Sequence, residues 1–294
     1  MTLNEIKHKF SISKPYTQLI YINIAFFIIV AIVNIVVTLG SFRSVGFSDV
    51  LQLSSDFRLF TKHFWTIISY MFVHISLLHL FFNMICLYWF GQLFLMSFTG
   101  KQLIGIYILG GILGGVVYML SYNYIPYFEG KIALLSGASA SIMAIIVATA
   151  LDMPNMPIRL LLVGSVKLKW LAVVTVLISV LGITSNNAGG EIAHIGGALA
   201  GWLWFVLLKR NINIIKPINY TISAIVNIFS SKPRLKKNRR RARYHYVKSD
   251  EQYNMEQKQN NRNLDAILDK IRRSGYNSLT EDEKKQLFDI SRKI

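Results

Sequence analysis

Between Leu19 and Leu39 the chain runs for 21 residues without a charged side chain. A helix needs about 20 apolar residues to cross the hydrocarbon layer of a bilayer, so this run directs the chain toward a membrane. No small-residue cleavage site accompanies it, so it reads as a span and not as a removable leader. Five more apolar blocks follow, at about Ser76–Phe98, Leu103–Tyr122, Ser139–Leu151, Leu171–Ile183 and Ala193–Leu208. Some are short for a full crossing, which predicts helices that begin below the membrane surface. Only 16% of the residues are charged and 53% are hydrophobic. Soluble domains carry about a quarter charged residues, so an ordinary cytosolic enzyme is excluded.

Positive charge gives the orientation. Lys7, Lys9 and Lys14 precede the first block, Lys101 separates the second from the third, and Arg159, Lys167 and Lys169 separate the fourth from the fifth. Lys209 and Arg210 follow the sixth. The alternate loops are nearly balanced: Arg43, Asp49, Asp56, Arg58 and Lys62 in one, Glu129 and Lys131 in another, Glu191 alone in the last. The positive-inside rule then predicts six spans with both termini in the cytoplasm.

The net charge of +17 divides almost evenly between very unequal parts. Residues 1–230 hold 14 Lys/Arg against 6 Asp/Glu, and residues 231–294 hold 18 against 9. Eight basic residues fall between Lys232 and Arg243. Directly after a membrane anchor, such a cluster reads as a topology signal and an attraction for anionic lipid. No nucleic-acid-binding fold stands behind it, so no nucleic-acid partner is expected. The lone Cys86, within an apolar run, excludes a disulfide framework and reads as a buried small hydrophobe.

Two connections are more than linkers. Gly40 to Val73 is long and rich in aromatics (Phe57, Phe60, Phe64, Trp65), and is expected to lie partly in the interface. Asn123 to Ser136 leads into the small-residue cluster Ser136-Gly137-Ala138-Ser139-Ala140-Ser141, which opens the short fourth helix. Polar groups at membrane depth are costly unless they serve a purpose. His79 and Asn83 are four apart and share one face of the second helix, His74 lies just before it, Ser139 opens the fourth and His194 opens the sixth. All are predicted in the outer half of the bilayer.

Small-residue stripes supply the packing that would unite them. Ala193, Gly197 and Gly201 repeat every four residues on the sixth helix, and Ala140, Ala144 and Ala148 do so on the fourth. Such stripes let two helix backbones approach closely in lipid. Gly110, Gly111, Gly114 and Gly115 on the third helix read as packing as well. A tight crossing of the fourth and sixth helices brings the Ser139 hydroxyl toward the His194 imidazole, the arrangement nucleophilic catalysis requires. His79, Asn83 and the Ser139 backbone N–H are then candidate donors to an oxyanion. Three histidines also raise zinc, but no carboxylate or cysteine joins them at ligand spacing, so no metal is expected.

Together, Gly137-Ala138-Ser139-Ala140, His74 with His79-Leu80-Phe81-Phe82-Asn83, and Ala193-His194-Ile195-Gly196-Gly197-Ala198-Leu199-Ala200-Gly201 resemble the rhomboid intramembrane serine proteases, over about Tyr16 to Arg210. The resemblance implies an all-α, six-span core with a membrane-embedded first outer loop. It implies Ser139 as nucleophile and His194 as general base in a dyad without a third acidic member. It also implies His79 and Asn83 at the oxyanion hole and His74 supporting a water-accessible cavity. The implied reaction is hydrolysis of peptide bonds in or near single-span transmembrane substrates, without cofactor, in a bacterial inner membrane. The chain departs from the family pattern at Ala140, where Gly is frequent, and at Met143, where an aromatic stacks on the base. It departs again at Trp65-Thr66, where a Trp-Arg pair is usual, and at Leu95 in place of Glu.

Two rival readings remain. A catalytically inactive relative that binds transmembrane helices as a scaffold or chaperone keeps the fold; a small transporter calls for an intramembrane acid, and no Asp or Glu falls within the six blocks as bounded above. The domain reading is therefore a cytoplasmic N-terminus at 1–15, the six-helix core at 16–210 and an interfacial segment at 211–230. A basic juxtamembrane linker at 231–262 and a small helical pair at 263–294 complete it. The pair rests on Leu264, Ile267, Leu268 and Ile271 at helical spacing, a turn at Ser274-Gly275-Tyr276-Asn277, and a Thr280/Glu283 capping box. It resembles a module appended to some rhomboids of the Bacteroidota type.

Overall fold

The computed structural model describes residues 2–40, 47–160, 164–229 and 263–291. Arg43, the basic cluster Lys232–Arg243 and the linker to Arg262 lie outside the described residues. The chain divides into two units, 1–231 and 232–294, taken here one at a time.

The first unit opens with α1 (Leu3–Ile12), whose start is closed by a capping box between Thr2 and Glu5. Pro15 then starts α2 (Pro15–Leu39), where its fixed φ suits a first helical turn. Only Tyr16, Leu19, Asn23 and Val30 of α2 are buried, so most of its apolar surface is directed outward, as lipid requires. The long connection that follows folds into β1 (Leu53–Ser54), α3 (Phe57–Lys62) and α4 (Thr66–Ser69). Trp65 Nε1 donates to Val50 O (3.0 Å) and Ser69 Oγ to Leu51 O (2.7 Å), which staples the connection to itself. Phe57 and Phe60 pack toward the core, whereas Phe64 and Trp65 stay exposed.

Next come α5 (Leu77–Phe94) and α6 (Gly100–Tyr124), then β2 (Leu134–Leu135) and α7 (Ser139–Asp152). The α7–α8 connection, expected as a plain basic loop, instead contains an antiparallel pair, β3 (Pro157–Leu160) and β4 (Gly164–Lys167). It leads to α8 (Leu168–Leu181) and α9 (Ala188–Lys209). Helices α2, α5, α6 and α9 are long and apolar enough to cross a membrane, and α7 and α8 are shorter apolar helices. The chain is an all-α polytopic membrane protein. Finally, α10 (Lys216–Phe229) is amphipathic, and the buried Ile215 ahead of it lies against Gly105 of α6.

The core is a three-helix contact of α6, α7 and α9 made through small residues. A Cβ on Gly197 would strike the Ala140 carbonyl, and one on Gly201 would strike that of Ala144. A Cβ on Gly114 would lie 2.7 Å from Ala140 Cβ, and one on Gly196 would lie 2.7 Å from Gly114 Cα. With no side chains between them the helix backbones touch. At the far end of α7, Asp152 Oδ1 lies 3.4 Å from Lys209 Nζ at the end of α9.

In the second unit, α11 (263–274) and α12 (Glu281–Ser291) are joined by a turn that contains Gly275 at φ +77°. Ile267 and Leu279 are buried, Lys270 Nζ donates to both Glu283 oxygens at 2.8 Å, and Thr280 N–H donates to Glu283 Oε2 at 2.7 Å.

Two outcomes follow from these contacts. Gly197→Val overpacks the α7–α9 seam and lowers stability by about 1–3 kcal/mol, read by thermal unfolding in detergent, whereas Leu199→Val on the outward face leaves it nearly unchanged. Lys270, and after it the Thr280 N–H, hold the Glu283 carboxyl down at about 2. A depressed carboxyl stabilises the folded pair above the ordinary glutamate range of about 4.3 and stops doing so as pH falls through its folded value. Hydrogen exchange across 263–291 in the full chain, corrected for intrinsic rates, therefore rises as the pH is lowered below about 4. Glu283→Gln removes that pH-dependent component.

Candidate active site

Ser139 is the first residue of α7, and the backbone before it sets its position. Gly137 has φ +115°, a region that favours glycine, and a Cβ there would lie 2.7 Å from His79 Cε1 and 2.8 Å from Nε2. Its N–H donates to Tyr70 O (2.9 Å), and Tyr70 in turn donates its hydroxyl to Gly111 O (2.6 Å). One residue pair upstream, Leu135 pairs with Leu53 across the β1–β2 ladder. The approach to α7 is therefore anchored to both the first connection and α6. The first N–H groups of a helix have no intrahelical acceptor, and among the described residues no side-chain hydrogen bond caps α7.

His194 sits in the second turn of α9. Its Nδ1 lies 3.1 Å from Ser179 Oγ on α8 and 3.3 Å from Glu191 Oε2 one turn earlier on α9. Ser139 and His194 line one cavity of about 310 Å³ together with His79, Asn83, Met143 and Asn187. Phe82, Cys86, Ile142 and Ile146 complete its apolar wall. Among the described residues no hydrogen bond joins Ser139 Oγ to His194.

The other expected site residues fall as follows. Asn83 Nδ2 donates to His79 O (2.9 Å), which leaves its second amide hydrogen available to the chamber. His74 is not in the chamber: it is buried, with Nδ1 3.3 Å from Phe72 O and its ring 5.1 Å from that of His79, and it lines a separate 230 Å³ cavity with Asn34 and Ser48. Ala140 is buried and its carbonyl meets Gly197, while Ala144 meets Gly201 in the same way. Met143 lines the chamber without a ring to stack on His194. Cys86 is only partly buried: it packs against the core and also lines the chamber.

One expectation needs correction. The resemblance implied a dyad with no acidic neighbour, and Glu191 was assigned to the loop before the sixth helix. In the structure α9 begins five residues earlier than the apolar block, at Ala188, so Glu191 lies within the helix and beside His194. Gly189 and Gly190 read as loop residues, but Gly189 packs so closely on Tyr118 that a Cβ there would be 2.8 Å from its ring. Packing overrides glycine's weak helix preference. Ser179 was not singled out from sequence, because a serine within an apolar run carries no signal of its own.

Comparison with known proteins adds the family. The Rhomboid domain description matches residues 61–211, and a second description, Family of unknown function (DUF6576), matches residues 248–293. No curated protein matches the chain. With more than half its length matched, the chain belongs to the rhomboid family.

Proposed function

We propose that the chain is an intramembrane serine endopeptidase that cleaves single-span membrane proteins in or near their transmembrane segments. The observation that carries this reading is one chamber shared by Ser139 and His194, at the heads of two helices locked together through Ala140 and Gly197. His194 takes the Ser139 hydroxyl proton as Oγ bonds to the scissile carbonyl carbon. The carbonyl oxygen becomes an oxyanion that accepts from the Ser139 N–H, the remaining Asn83 amide hydrogen and His79. His194 passes its proton to the amide nitrogen, the C–N bond breaks, and the amine product leaves. Water then gives a proton to His194 and its oxygen to the acyl carbon. The Oγ–C bond breaks and Ser139 regains its proton.

Topology and partners follow from the charge pattern. Both termini lie in the cytoplasm and the Lys232–Arg243 cluster attracts anionic lipid, while residence in a bacterial inner membrane is what the family resemblance implies. The substrate helix must unwind before its carbonyl reaches Ser139, because intact helix hydrogen bonds shield the peptide bond.

The test is cleavage of a single-span reporter by the full chain in liposomes. Ser139→Ala and His194→Ala each lower cleavage by at least about a thousandfold without loss of folding, and Ser139→Ala abolishes fluorophosphonate labelling. Gly or Pro placed in the reporter helix near the scissile bond speeds cleavage. If no reporter is cut and Ser139 takes no label, the chain is an inactive helix-binding relative.

A further inference from the structure

We infer that Glu191, assisted by Ser179, is a positioning residue for His194 and makes the Ser–His pair a held triad. The inference rests on the serine-protease reading above and adds a component that the dyad does not contain. Two groups from two helices converge on one ring nitrogen: Ser179 Oγ from α8 at 3.1 Å and Glu191 Oε2 from α9 at 3.3 Å. The two side chains are only 20% (His194) and 17% (Glu191) exposed, so the contact is largely sheltered from water. Ser179 is 2% exposed, and its hydroxyl is shared between the His194 ring and the Glu191 carboxylate. A buried hydroxyl needs partners, and those of Ser179 are the two groups it ties together.

Chemistry gives this convergence a direction. A neutral imidazole carries its proton on one nitrogen only, and an acceptor at Nδ1 keeps the proton there. Nε2 is then left with the lone pair that a general base needs. When His194 takes the Ser139 proton the ring becomes a cation, and the largely buried carboxylate at Nδ1 offsets that charge. No atom is transferred to Glu191. Its work is orientation and charge.

The surroundings are shaped for the carboxylate. Gly182 ends α8, and a Cβ there would lie 2.8 Å from Glu191 Cγ and 3.1 Å from Cδ. Met143 occupies the position where the family stacks an aromatic on the base, so here the ring lacks that support. Glu191 and Ser179 hold it from the other edge. The competing role is ordinary helix support, since Glu191 lies in the first turn of α9. That role affects folding and leaves the rate at Ser139 alone.

The test compares wild type, Glu191→Gln, Glu191→Asp, Ser179→Ala, Gly182→Val and the Ser139→Ala and His194→Ala controls in the full chain reconstituted in liposomes. Two rates are read: fluorophosphonate labelling of Ser139, which needs the base but no natural substrate, and reporter cleavage resolved into kcat and KM. Glu191→Gln, matched in shape, is expected to slow labelling and kcat by at least about tenfold with KM and thermal unfolding unchanged. Glu191→Asp recovers part of that loss, Ser179→Ala gives a smaller loss, and Gly182→Val, which displaces the carboxylate, imitates Glu191→Gln. If Glu191→Gln labels and cleaves at the wild-type rate while both controls are inactive, the positioning role is wrong and the dyad stands alone. A loss of thermal stability in Glu191→Gln with an unchanged rate assigns the residue to helix support and overturns the inference as well. If the His194→Ala control retains full activity, it is the protease reading itself that fails.

Discussion

Everything at the site depends on the absence of side chains where α7 meets α9. Lipid tails are as apolar as leucine, so no hydrophobic gain draws two helices together within a bilayer, and close backbone contact has to supply the attraction. Gly197 and Gly201 provide it by resting on the carbonyls of Ala140 and Ala144, with Gly114 of α6 closing the third side against Ala140. Ser139 precedes the first of these contacts on α7, and His194 precedes it on α9. The seam thereby sets how far apart the two heads stand. A methyl group in the seam would reach the chemistry without touching it.

A second constraint acts on the chain that leads into α7. Fourteen helical residues span about 21 Å, less than the hydrocarbon thickness, so irregular backbone has to follow the helix below the membrane surface. Such backbone survives there only if protein satisfies it. The pairing of Leu134–Leu135 with Leu53–Ser54, the bond from Gly137 N–H to Tyr70 O, and the bond from Ala133 N–H to Ser55 Oγ (3.0 Å) meet that need. The long first connection is thus the partner that allows α7 to be short.

Much of this was legible from the residue order. The six apolar blocks, the stripes on the fourth and sixth helices and the gathering of serine, histidines and asparagine at one end follow from spacing alone. What escaped was whatever two distant segments create only in contact. The early start of α9 is hidden because Gly189 and Gly190 look like loop residues until Tyr118 packs on Gly189. Glu191 was hidden with it, and Ser179 is silent without the ring it bonds. The β3–β4 pair is too short, at four residues a strand, to stand out from a basic loop until its two strands pair. His74, which the resemblance implies as a support of the cavity, stands behind His79 with the two rings 5.1 Å apart and lines a separate cavity.

The short α7 has one more property that its length and direction impose. Its peptide units are aligned head to tail, and the summed macrodipole places about half a positive elementary charge at its first turn, where Ser139 stands. In bulk water that field would be screened within a turn, but within a membrane the surroundings respond weakly and it persists. Any negative charge that develops beside Ser139 meets it, whatever the molecule that carries the charge.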